Sequence, residues 1–126
     1  MSEAINLKVA RVALRVALGI MYLTHSIVLK VLTFGFSGTA AYFVSIGLPA
    51  YSAYLVIAAE SIGGTLLVLG IGTRYVALAL LPILLGATYV HSGNGWVFTA
   101  AGGGWEYPVF LVVVSVVLAL LAKGRN

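Results

Sequence analysis

No cysteine occurs in the 126 residues. Disulfides, thiolate metal sites, redox dithiols and a cysteine nucleophile are therefore all excluded. Charge is nearly as scarce: 7 Lys and Arg and 3 Asp and Glu make up 8% of the chain, where an ordinary soluble domain has about a quarter. No stretch shows the period-two alternation of barrel strands, which leaves a helical bundle as the solution for backbone in lipid. No nucleophile–base–orienter set is visible, and no glycine-rich phosphate loop follows a strand. The GGG at 102–104 is a flexible loop.

What fills the chain instead is apolar: 62% of residues are hydrophobic and mean hydropathy is +1.12. That places it among membrane proteins before any motif is read. At this length it is a single integral membrane domain, residues 1–126. A membrane helix needs about 20 mostly apolar residues. Four stretches meet that need, at about 8–30, 50–70, 73–91 and 106–122, and the fourth is short. The fold expected is an all-α membrane protein, a bundle of four transmembrane helices. The first span carries Arg11, Arg15 and His25 and lacks a small-x-small cleavage site after its apolar run, so it reads as retained.

Lys8, Arg11, Arg15, Arg74, Lys123 and Arg125 fall on one side of these spans and only Lys30 on the other. By the positive-inside rule both termini are cytoplasmic in a plasma (inner) membrane, and the loops at 31–49 and 92–106 face outward. The net charge of +4 thus reads as a topology signal, with no nucleic acid implied. The segment SGTAAYFVSIGLP is apolar enough to form a short interfacial helix between spans one and two, ended by Gly47 and Pro49. GIGT at 70–73 is a tight cytoplasmic turn.

Inside the spans, Lys8, Arg11, Tyr22 and Ser26 all fall within about 40° of Arg15 at 100° per residue, a single polar stripe. Glu60 lies mid-span, with Ala53, Gly63 and Gly64 on or near its face. Small residues admit a close neighbour, and an ionised carboxylate at that depth calls for a cation or a proton. Arg15 is the expected partner, as a packing pair or a proton-carrying one. At the outer ends stand His25, Lys30, His91 and Glu106. Twelve of the fourteen aromatics map to that half, including Tyr51, Tyr54 and Trp105. They suggest an outward pocket in which His91, Glu106, Lys30 and His25 supply polar groups and the aromatics supply the walls. The alternatives at these positions are an ordinary aromatic belt and interfacial histidines bonded to loop backbone. The spacing contains no local metal motif, and bis-histidine haem ligation needs rings on opposite sides of one pocket, so neither metal nor haem is expected.

The order of these pieces resembles the DoxX family of small bacterial and archaeal membrane proteins. RVALGIMYLTHSIVLK, YFVSIGLP, AAESIGGTLLVLGIGTR, ATYVHSGNGW and GGGWEYP carry the resemblance, over about residues 11–122. It implies a four-helix membrane protein; some relatives are subunits of thiosulfate:quinone oxidoreductases, and others are linked to oxidative stress or peptide modification. Arg15, Glu60, Arg74, His91 and Glu106 match positions where family members carry the same residue types. The family has glycine-rich sequence where this chain has His25 and Ser26, so it lends no support to His25. Three readings follow. The first is a quinone-binding membrane subunit of a redox system, non-catalytic or accessory, working with a protein partner. The second is a non-enzymatic anchor or assembly factor. The third is a small transporter, which needs a homo-oligomer to form a conduit.

Overall fold

The computed structural model describes residues 2–122. Lys123 and Arg125, which contribute to the charge asymmetry, lie outside the described residues. The chain is helical in α1 (Glu3–Leu23), α2 (Gly35–Ser45), α3 (Ala50–Leu69), α4 (Thr73–His91) and α5 (Glu106–Ala122). Between α1 and α2 the helix continues without a break as a π-helical stretch, Thr24–Thr33.

Three helical stretches are long and apolar enough to cross a membrane: Glu3–Thr33, Ala50–Leu69 and Thr73–Asn94. The fourth, α5, is equally apolar but only 17 residues long. The helix expected between the first two spans is present as α2, eleven residues long.

The element ends follow local chemistry. Ser2 caps α1, its hydroxyl accepting from the Ile5 N–H at 3.2 Å, as N-terminal serines do. Pro49 stands at the N-cap of α3 with extended backbone. At the other end Gly70 takes the left-handed conformation, φ 79°, and the N–H groups of Gly70 and Ile71 both close on the Leu66 carbonyl at 2.8 and 2.9 Å. This is the glycine-terminated helix end. With Gly72 also left-handed, it reverses the chain directly into α4, the turn expected at 70–73.

Among the described residues the four long helices contact one another as α1–α3, α3–α4, α4–α5 and α5–α1, a closed ring, and α2 packs on α3. The closest packing is within α1–α3 and within α4–α5. Small residues set it: a Cβ on Gly19 would lie 2.8 Å from the Gly64 carbonyl oxygen, and one on Gly64 would lie 3.0 Å from that of Gly19. The α1 and α3 backbones therefore touch where these glycines cross. The core is formed by Leu18, Tyr22, Leu67, Ala77, Leu80, Leu84, Leu111 and Leu118. Large apolar side chains such as Leu32, Leu55, Ile62, Leu69, Leu85 and Leu120 stand exposed around the outside. That arrangement suits lipid, where association depends on close packing and a dry interior gains nothing from hiding leucine.

Candidate functional site

The Gly19–Gly64 crossing fixes the register of α1 against α3, and the register decides which cation meets Glu60. Going down α3 from Glu60, Gly70 lies ten residues on, about 15 Å away. Arg15 sits there: a Cβ on Gly70 would come within 2.6 Å of one of its guanidinium nitrogens. Arg15 is thus at the C-terminal end of α3, where a cation complements the helix dipole. The pairing expected between Arg15 and Glu60 is not the one the structure shows. The Lys30 ammonium donates to Glu60 Oε1 at 2.6 Å, with side-chain exposures of 19% and 6%.

Lys30 reaches this position from the π-helical stretch. π-helix is rare and mostly confined to single turns, often at functional sites; here ten residues adopt it. The widened turn is held from α2. The Thr39 hydroxyl is shared between the carbonyls of Lys30 (3.0 Å) and Gly35 (2.9 Å), and the Phe34 N–H bonds back to Leu29 at 2.8 Å. Below Glu60 the core stays polar: Ser26 and Tyr22 are buried. The Tyr22 hydroxyl lies beside Ser115, whose own hydroxyl donates to the Leu111 carbonyl at 2.8 Å and keeps lone pairs to accept.

The Lys30–Glu60 pair opens into a cavity of about 600 Å³ at the seam between the α1–α3 and α4–α5 pairs. Met21, His25, Val56, Leu84 and Leu111 line its inner part. From α4 come Pro82, Ile83, Gly86 and Ala87, small except for Ile83, and then His91. Tyr107 and Pro108 close the α5 side, and Tyr42, Phe43, Ile46 and Leu48 roof it from α2 and the segment after it. The His25 ring stacks on Tyr107 with centroids 6.3 Å apart. His91 is at the rim, where its Nδ1 lies 3.4 Å from the Asn94 amide nitrogen.

The residues expected in one outward pocket therefore divide. Lys30, His25 and His91 line the cavity, and Glu60 joins them. Glu106 does not line it; its Oε1 accepts from the Phe98 N–H at 2.9 Å in the loop before α5. Trp105 packs edge-on against Trp96, centroids 4.4 Å apart. Tyr51 and Tyr54 are exposed, Tyr54 stacking on Phe36 at 5.9 Å. Sequence reasoning missed Lys30 as the partner of Glu60 and missed the wall of α4. The second had a signal: proline and two small residues within six positions, Pro82 to Ala87, mark a helix face that cannot fill space.

The DoxX family model matches residues 10–93. That span takes in His25, Lys30, Glu60 and His91 and stops before Glu106. A Bacillus subtilis (strain 168) protein named "Putative oxidoreductase CatD" is 32% identical over 115 residues, which is 91% of this chain and 81% of that protein. No solved structure matches the chain.

Proposed function

This chain belongs to the DoxX family of helical membrane proteins, and on that premise we propose that it is the quinone-binding membrane subunit of a redox system. The single observation that carries the proposal is the cavity of about 600 Å³ with a largely buried ion pair on its wall. Small-molecule sites have this size and this mixture of apolar wall and few polar groups. A quinone head group is flat and apolar with two carbonyl oxygens. The Lys30 ammonium offers a donor with protons to spare beyond the one given to Glu60, and the imidazoles of His25 and His91 stand farther along the wall. Glu60 holds Lys30 in place and can exchange a proton with a reduced quinone. The oxidoreductase name of the Bacillus relative agrees with this reading. The chain has no cysteine, and electrons come from a protein partner.

In this reading all four long helices, α5 included, cross the plasma (inner) membrane, α2 lies in its outer interface, and both termini are cytoplasmic. The test is quinone retention. Protein purified in mild detergent is extracted and its quinone measured by mass spectrometry, for wild type and for a Lys30→Met, Glu60→Gln double variant that removes both charges together. Quinone in the wild-type extract and its loss from the double variant is the expected result. Equal quinone in both sinks the proposal and leaves a membrane anchor for a partner as the better reading.

A further inference from the structure

Glu106, displaced from the main cavity, stands in a second hollow of about 580 Å³ on the α5 side of the loop end, lined with it by Trp96, Phe98, Tyr107, Val109, Phe110 and Val113. The loop that forms it is firmly built. The Trp105 N–H donates to the Gly95 carbonyl and the Glu106 N–H to the Trp96 carbonyl, both at 3.0 Å. The Asn94 amide donates to the Gly103 carbonyl at 2.9 Å. Gly104 is buried with no room for a side chain, since a Cβ there would run into the carbonyls of Trp96 and Val97. Trp96 is braced edge-on by Trp105. The loop backbone and the Trp96 ring are thus held in place beside the carboxylate before anything binds.

Chemistry decides the occupant. The Phe98 N–H engages Oε1 of Glu106, and no hydrogen bond is made to its other oxygen among the described residues. Aromatic faces attract cations, more so when water is excluded, and a carboxylate among them selects a positive charge that can also donate hydrogen bonds. A neutral quinone, or a phosphate without an amine, gains nothing from this combination. We propose that the hollow binds the ammonium head group of a membrane lipid of the phosphatidylethanolamine type, whose acyl chains run down the exposed apolar face of α5 at Phe110 and Val113. The hollow shares Tyr107 with the proposed quinone cavity, while Glu106 lines the hollow and not the cavity, and neither proposal depends on the other.

The chain supplies its own probe. It has two tryptophans; Trp96 lines this hollow and Trp105 packs edge-on against Trp96, so intrinsic fluorescence reads it directly. Detergent-solubilised protein is titrated with short-chain phosphatidylethanolamine, with phosphatidylglycerol of the same chains, and with glycerophosphoethanolamine, which keeps the amine and lacks the chains. The expected result is a saturable emission change with the first alone. Two variants accompany it. Glu106→Gln keeps an oxygen to accept from Phe98 and removes the charge. Phe98→Leu keeps the backbone N–H and removes an aromatic face. Each is expected to weaken the phosphatidylethanolamine response by roughly tenfold, which is about 1.4 kcal/mol. Equal responses to the two lipids, or full affinity in Glu106→Gln, overturn the ammonium site and reduce Glu106 to a loop cap. An equal response to glycerophosphoethanolamine overturns the lipid assignment in favour of a soluble amine.

Discussion

Separating Lys30 from Glu60 has different costs depending on which partner is removed. In Lys30→Met the Glu60 carboxylate stays in the bundle at 6% side-chain exposure without the ammonium that was bonded to it. Breaking a buried pair in this way costs about 3–5 kcal/mol, most of it the unpaired charge. In Glu60→Gln the orphan is the Lys30 ammonium, 19% exposed and three residues from the end of the π-helical stretch at Thr33. Its flexible stem can carry the charge toward the headgroups, so the cost is about 1–2 kcal/mol, that of a lost charge-assisted hydrogen bond. The double variant has no charge to bury and is expected within about 1 kcal/mol of wild type, because replacing both members of a buried pair is often neutral. The cycle then yields a coupling energy of about 4–7 kcal/mol, well above the few tenths seen for independent sites. Unfolding by sodium dodecyl sulfate titration from mild detergent micelles, followed by circular dichroism, measures all four proteins. Pairing Arg15→Gln with Glu60→Gln supplies the control and is expected to be additive. Additivity for Lys30 and Glu60, or coupling that appears with Arg15 instead, would falsify the register described above.

Two further outcomes are expected. Gly64→Ala pushes a methyl into the Gly19 carbonyl and the side chains of Tyr22 and Leu23 at 3.0–3.1 Å and should destabilise by about 1–3 kcal/mol, whereas Gly86→Ala, with nothing within 4 Å, should be neutral or gain up to about 1 kcal/mol of helix propensity; the same detergent titration compares them, and equal losses would remove the close crossing. For topology, reporter fusions at the C-terminus and at Asn94 should report opposite compartments, and the same compartment for both would contradict a membrane-crossing α5.

The helices were legible because each is bounded by strong local signals. Pro49 opens α3 and Gly70 closes it; Thr73 and His91 bound α4 as expected, and Glu106 opens α5. Glu60 was legible as buried, and Gly64 as lying against a neighbour, from composition of the face alone. The partner of Glu60 was not, because depth counted along one helix says nothing about the register between two. Lys30 is closer to the loop end than Glu60, yet a flexible four-carbon stem reaches down from a π-helical turn that has no sequence signature. Glu106 and His91 failed to converge for a related reason. Both flank one loop, but that loop folds on itself through Asn94, Gly95 and Gly103 and keeps each side chain on its own side of α5.

The Gly70–Ile71–Gly72 turn joins the α1–α3 pair to the α4–α5 pair at the end of the molecule opposite the cavity. The two halves are thus covalently joined at one end, like the arms of a pair of tongs, and meet each other through the α3–α4 and α1–α5 contacts. Each arm is about 30 Å long for 20 residues. A relative rotation of about 5° at the turn spreads the far tips by about 2.6 Å on such an arm, while the glycine crossing inside the first arm is left untouched. Motion concentrated at two left-handed glycines would be felt most where Lys30, His25 and His91 line the seam, and least in the packing that holds each arm together.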